Sequence, residues 1–173
     1  MKSDPSALKV AVVTGAAQGI GRAIALRLGQ DGFGVVLVDI NRAPLEGVKN
    51  EIIQQSGKAL ALQADLTQLA AIQAVIEQAA QWGDFSVLVN NAGRVITRPF
   101  LEVTEQDWDT IFSLDLKTVF FAIQFAATHL ISGGRIVNIS SISGRSGRPD
   151  QTAYAAAKAG VTLYLTGARH FAH

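Results

Sequence analysis

The chain contains no cysteine in 173 residues. That excludes disulfides, thiol catalysis and cysteine-held metals, and it is compatible with a reducing cytoplasm. An excess of charge is also missing, since 15 Lys and Arg face 14 Asp and Glu for a net +1. Such a balance gives no strong attraction to nucleic acid or to an anionic membrane. No apolar run approaches the roughly 18 residues of a membrane span. The longest candidate, Val119 to Ile131, is broken by Gln124 and His129. Residues 1–9 include Asp4 and Pro5 and have no apolar centre, so they are not expected to be a secretory signal. The histidines His129, His170 and His173 lack the clustering that a metal site needs. The partners expected are small molecules and further copies of the chain.

What is present is a chain 49% hydrophobic with a mean hydropathy of +0.25, long enough for one domain over residues 1–173 with a proper core. Four runs rich in Val, Ile and Leu stand out: Leu8–Val13, Val35–Val38, Val87–Val89 and Arg135–Ile139. They are nearly continuous rather than alternating, as expected of strands covered on both faces. A weaker run, Ala59–Gln63, falls between the second and third. The segments separating them have helical spacing, as in Ile20, Ala23, Ile24 and Leu28, or Leu69, Ile72, Val75, Ile76 and Ala79. Thr104-Glu105-Gln106-Asp107 resembles a capping box opening a long helix to about Leu130. Strands alternating with helices predict an α/β fold with a doubly wound parallel sheet, helices layered on both faces.

Between the first strand and first helix lies Thr14-Gly15-Ala16-Ala17-Gln18-Gly19-Ile20-Gly21. Gly15 suits the tight turn leaving the strand, and Gly19 and Gly21 allow a phosphate and the sheet close to the backbone. A helix opening near Gly19 aims its free N–H groups and positive dipole end at that phosphate. Gln18 and Ile20 belong to the same expected cradle. Asp39 ends the second strand, followed by Ile40, where a carboxylate can accept hydrogen bonds from an adenosine ribose and repel a 2′-phosphate. The cradle favours NAD over NADP, although Arg42 lies nearby.

Tyr154 and Lys158 share one helical face. A free Tyr is a poor base at neutral pH, but a neighbouring ammonium and a cationic nicotinamide favour the phenolate. Tyr154 could then take an alcohol proton as hydride leaves, or return it in reduction. Ser141, ending an apolar strand, could orient the substrate oxygen, with Ser140 and Ser143 as competitors for that role. Asp115 falls on an apolar stripe of Trp108, Ile111, Phe112, Val119 and Ala122, where a buried carboxylate is costly without a partner. Trp82 and Trp108 are expected in helix packing, and Arg94, Arg98, Arg145 and Arg148 either ring the entrance or are solvated.

The glycine turn, Asn90-Asn91-Ala92-Gly93, Ser141 and Tyr154-x-x-x-Lys158 together resemble the short-chain dehydrogenase/reductase family, in its single-domain branch. The resemblance runs from Leu8 to about Val161. It implies a Rossmann fold and a catalytic set of Ser141, Tyr154 and Lys158, with Lys158 also binding the nicotinamide ribose. It also implies Asn90, Asn91, Ala92 and Gly93 along the cofactor cleft and Asp65 and Leu66 at the adenine. Asp115 is expected as a fourth catalytic position, where the family usually has Asn holding a water in a proton relay. An Asp whose carbonyl holds that water would serve, whereas a side chain entering the site could pair with Lys158 and weaken its effect on Tyr154. Relatives continue past the Tyr–Lys helix with two more strands, a substrate-covering segment and a strand used in tetramers. The chain as given is therefore expected to lack the last strands, to expose the edge beside its fifth strand and to aggregate. The activity expected is an NAD-dependent oxidoreductase for a secondary alcohol, polyol or sugar and its ketone, forming a dimer or tetramer. Alternatives are a reductase of carrier-bound 3-oxoacyl groups and a non-catalytic nucleotide-binding module.

Overall fold

The computed structural model describes residues 7–167; His170 and His173 lie outside the described residues, as does the start of the chain. The described residues form a five-stranded sheet in the order β3-β2-β1-β4-β5, every pairing parallel. The strands are β1 (Lys9–Thr14), β2 (Gly34–Asp39), β3 (Lys58–Gln63), β4 (Asp84–Asn90) and β5 (Arg135–Asn138). Between them run α1 (Gly19–Gln30), α2 (Arg42–Gln54), α3 (Leu69–Trp82), α4 (Glu105–Phe112) and α5 (Thr118–Ala126), and α6 (Thr152–Gly167) follows β5.

The continuous apolar runs are explained by two cores. Val10, Val12, Val36, Val38 and Leu88 face Ile72, Val75 and Ile76 of α3 and Ala122 and Ala126 of α5. Val13, Val35, Leu37 and Val89 face the other way, onto Ala25 of α1 and Leu45, Val48 and Ile52 of α2. Each such side chain contributes about 1.5–3 kcal/mol on full burial, so the two central strands β1 and β2 anchor the sheet. The outer strands are less covered, against the expectation of cover on both faces for β5 and in keeping with the weaker run at β3. Ala59 to Leu62 of β3 are only half-buried, and Val137 of β5 is 44% exposed. Among the described residues β5 pairs only with β4, so its outer edge is open.

Two further differences concern helices. Helix α2 has buried positions Leu45, Val48 and Ile52 at helical spacing, but Pro44 in its first turn and polar residues between them mask the pattern. Proline is tolerated there because first-turn N–H groups have no helical partner. The helix expected from residue 104 to Leu130 begins as predicted, with Thr104 accepting from the Asp107 N–H and Asp107 accepting from the Thr104 N–H. It is not continuous. A π-helical turn, Ser113–Lys117, separates α4 from α5, and α5 stops at Ala126. Trp108 also leaves the expected stripe: it is 45% exposed and stacks on Phe112 with ring centroids 4.0 Å apart. Trp82 packs partly buried against the α3 core.

Candidate active site

All five strands run the same way, so their C-terminal ends lie along one rim of the sheet, where open parallel sheets place their ligands. The glycine turn leaves β1 at this rim. Gly15 has φ +63°, a left-handed conformation that glycine adopts without penalty. A Cβ on Gly21 would collide with the Gly15 carbonyl oxygen and the Asn91 amide. The Asn91 side chain explains the crowding: its Nδ2 donates to Thr14 O at 2.9 Å and Gly15 O at 3.1 Å. Asn91 therefore fastens the loop after β4 to the turn after β1. Thr14 completes the joint, its buried Oγ1 accepting from the backbone N–H groups of Asn91 (2.9 Å) and Ala92 (3.0 Å).

Helix α1 then begins at Gly19 with Gln18 at its N-cap, and among the described residues no side chain caps its first N–H groups. Around Gly19, at φ +56°, the Cβ direction is open space. Uncapped N–H groups under a glycine turn fit a pyrophosphate. Gln18, Ile20 and Ile40 are exposed around this opening, Ile20 at 62% and Ile40 at 58%. Asp39 reaches back to the turn: Oδ2 accepts from the Ala17 N–H at 3.1 Å and Oδ1 from the Asn41 N–H at 3.0 Å. At the end of β3, Asp65 is exposed and its carboxylate accepts from the Thr67 N–H and Oγ1. Leu66 is buried in the core, and its carbonyl accepts from Thr118 Oγ1 at 2.7 Å.

The other end of the cleft is built on β4, β5 and α6. Asn90 is buried, and its Nδ2 donates to Asn138 Oδ1 at 2.7 Å across the paired strand ends. Of the three serines after β5, Ser140 is bonded to Lys158 O and Thr162 Oγ1, and Ser143 is buried and bonded to Gln151 Oε1. Ser141 accepts from the Ser143 N–H at 3.1 Å, and its own hydroxyl proton has no acceptor among the described residues. The Tyr154 hydroxyl likewise has no hydrogen-bond partner among the described residues, while Lys158 Nζ lies 5.7 Å from the Tyr154 ring centre.

Lys158 is nearly inaccessible, at 4% exposure, and Asp115 is fully buried. Lys158 Nζ donates to Ile139 O at 3.1 Å and stands 3.2 Å from Asp115 Oδ1. That ion pair lacks hydrogen-bond alignment, so Oδ1 has no hydrogen-bond donor among the described residues. Asp115 Oδ2 accepts from the Arg94 N–H at 3.0 Å. Burial pushes the Asp115 carboxyl above its ordinary range, and the Lys158 charge and the Arg94 N–H offset this only in part. The π-helical turn holds residue 115 in this position, inside the expected apolar stripe; such turns recur at functional sites. Gly93 lies directly against the pair.

This arrangement has counterparts. The sequence matches the short chain dehydrogenase family model over residues 9–171. The chain belongs to that family. It is 41% identical over 157 residues to a hydroxynaphthalene reductase-like protein of Metarhizium majus, covering 88% of this chain and 58% of the relative. It is 40% identical over 157 residues to the 2-dehydro-3-deoxy-D-gluconate 5-dehydrogenase of Escherichia coli, covering 88% and 61%. Among solved structures, a metagenomic short-chain oxidoreductase in complex with NADP superposes with a TM-score of 0.88 at 37% identity, covering 92% and 74%. The chain thus spans about three fifths of the length of these curated relatives. A fold of this family binds a nicotinamide cofactor, and the glycine turn and uncapped helix of this chain fit one.

Sequence reasoning missed several contributors. Thr14, Asn138 and the carbonyl of Ile139 hold the site together. Only Thr14 left a signal, a hydroxyl at the end of an otherwise apolar strand. Arg98, expected either at the entrance or in solvent, pairs through Nε with Asp107 at 2.7 Å and donates its backbone N–H to Asp150 O, tying two loops together. No group of acidic or histidine side chains able to hold a metal occurs among the described residues, and no helix there is long and apolar enough to cross a membrane.

Proposed function

We propose that residues 1–173 form the single cofactor-binding and catalytic domain of an oxidoreductase that interconverts a secondary alcohol, a polyol or sugar or similar compound, and its ketone. The observation that carries this is the trio of Tyr154, Lys158 and Ser141. Two hydroxyls without acceptors among the described residues follow β5 and open α6, and a buried ammonium lies 5.7 Å from the Tyr154 ring centre. The bound nicotinamide cofactor takes or supplies the hydride. Tyr154 acts as general base or acid at the substrate oxygen, since its hydroxyl is not consumed by the fold. Ser141 donates its free proton to the same oxygen and orients it. Lys158, fixed by Ile139 O and Asp115, presents positive charge that favours the phenolate form of Tyr154 in the transition state, an effect that the paired carboxylate weakens but does not abolish.

NAD is the proposed carrier. Asp39 sits at the end of β2 with a carboxylate that would meet an adenosine ribose and repel a 2′-phosphate. Gln18, Ile20, Ile40, Asp65 and Leu66 are proposed to line the adenosine half, and Asn90, Asn91, Ala92 and Gly93 the nicotinamide half. The sugar-acid dehydrogenase among the relatives supports a polyol- or sugar-like substrate. The complete protein is proposed to be a cytoplasmic homo-oligomer, with Phe100 and Leu101, exposed at 71% and 93%, among the surfaces available for assembly.

The test is a panel of secondary alcohols and their ketones with NAD(H) and NADP(H), run on the full-length protein and its Tyr154→Phe variant. Turnover that falls by about 10²-fold or more in the variant, with NADH affinity kept, supports the assignment. Equal turnover in parent and variant rejects it. Asp39→Ala tests the carrier, and an unchanged ratio of NADH to NADPH affinity would remove Asp39 from that role.

A further inference from the structure

We propose that Asp115 sets the balance between oxidised and reduced cofactor in this cleft by offsetting the charge of Lys158. The inference rests on the reading of the cleft as a nicotinamide site. Lys158 and Asp115 are both buried, and their charged atoms stand 3.2 Å apart. Opposite charges so placed leave a dipole whose field falls off faster with distance than that of a lone ammonium, and neither is screened by solvent. The carboxylate is held rigidly. Arg94 donates its N–H to Oδ2, Gly93 closes against Oδ1, and the backbone around residue 115 is a π-helical turn. Hydrogen bonds do not neutralise Oδ1, which has no donor among the described residues, so the Lys158 ammonium is its compensating group.

The consequence is specific to one form of the cofactor. An oxidised nicotinamide ring carries a positive charge and a reduced ring carries none. A lone Lys158 ammonium would repel only the oxidised form, whereas the Lys158–Asp115 pair repels that form far less and the reduced form not at all. Asparagine at 115 keeps the shape and an acceptor for the Arg94 N–H but leaves a net positive charge. A role confined to shape would weaken both forms equally.

Titration calorimetry with NAD⁺, NADH, NADP⁺ and NADPH on the full-length protein tests this. In Asp115→Asn the ratio of oxidised to reduced dissociation constants is expected to rise about tenfold. In the double variant Asp115→Asn/Lys158→Gln, which removes both charges, the ratio is expected to return to the parent value. The double variant leaves no buried charge unpaired, so it carries the test should the single variant not fold; a ratio there more than about threefold from the parent overturns the proposal. A ratio within about twofold of the parent in Asp115→Asn also overturns it. A parent protein that binds neither form would overturn the nicotinamide reading and this inference together. Binding of both forms with an unmoved ratio rejects the inference alone.

Discussion

Gly93 and Asp115 approach so closely that a Cβ on residue 93 would stand 2.6 Å from Asp115 Oδ1 and 3.3 Å from Lys158 Nζ. Neither neighbour is a loose side-chain end, since both are buried and tied to backbone groups. The Gly93→Ala variant is therefore expected to separate the ion pair and lower stability by about 1–3 kcal/mol. Chemical denaturation of parent and variant checks this; equal midpoints would show that the carboxylate yields freely.

Asn91 joins the loop after β4 to the glycine turn through two donated hydrogen bonds. Removing them in Asn91→Ala is expected to cost about 1–3 kcal/mol. It also frees the turn over the α1 N-terminus. Affinity for a dinucleotide, measured by calorimetry, should then fall more than affinity for a nucleoside without phosphates. A uniform loss for both ligands would contradict the idea that the turn is the part released.

Helix α2 ends in a Schellman arrangement, with Gly57 donating to Ile52 O and Ser56 to Ile53 O. Ser56 occupies the left-handed position, φ +65°, and is exposed. Ser56→Gly should stabilise the protein by about 1 kcal/mol, because the conformation costs a side-chain-bearing residue what it does not cost glycine. A thermal melt showing no rise, or a fall, would count against that end of α2 being strained.

Burial holds the Asp115 carboxyl above its reference value of 3.8. An acid raised on folding contributes stability that is complete below its unfolded value and is lost as pH rises through the folded one. Asp115→Asn cannot titrate and escapes that loss. The melting temperature of the variant minus that of the parent should therefore increase as pH rises from 3.8 upward. A difference that is flat or shrinks over that range would mean that Lys158 and Arg94 more than repay the burial.

The parts of the fold that were legible in the sequence are those where one residue type repeats. Strands β1 and β2 are buried along nearly their whole length, so their Val-rich runs announced them. Strand β4 starts with Asp84 and Ser86, and its polar opening shortened the expected strand. Asp115 could be singled out because a carboxylate interrupted an apolar stripe, and its full burial agrees with that reading. Its pairing with Lys158 could be anticipated too, but the backbone groups that hold the two partners, Ile139 O for the lysine and Arg94 N–H for the carboxylate, could not. The Ile139 carbonyl and the Arg94 N–H are backbone groups from distant loops, and any residue type supplies them. The broken helix escaped notice for a related reason: helical spacing records which residues are apolar, and a wide turn shifts that spacing without changing any residue.

The π-helical turn between α4 and α5 has one more consequence. An α-helix gains 1.5 Å and 100° with each residue, whereas a π turn accommodates an extra residue by bulging. The placement of the Asp115 carboxylate is thus encoded in the count of residues from Ser113 to Lys117 as much as in their identities. A scan of substitutions through this segment reads identities alone. Shortening it by one residue would close the bulge and rotate Asp115 away from Lys158 with every side chain still of a permitted kind. The length of this stretch is itself an inherited part of the site.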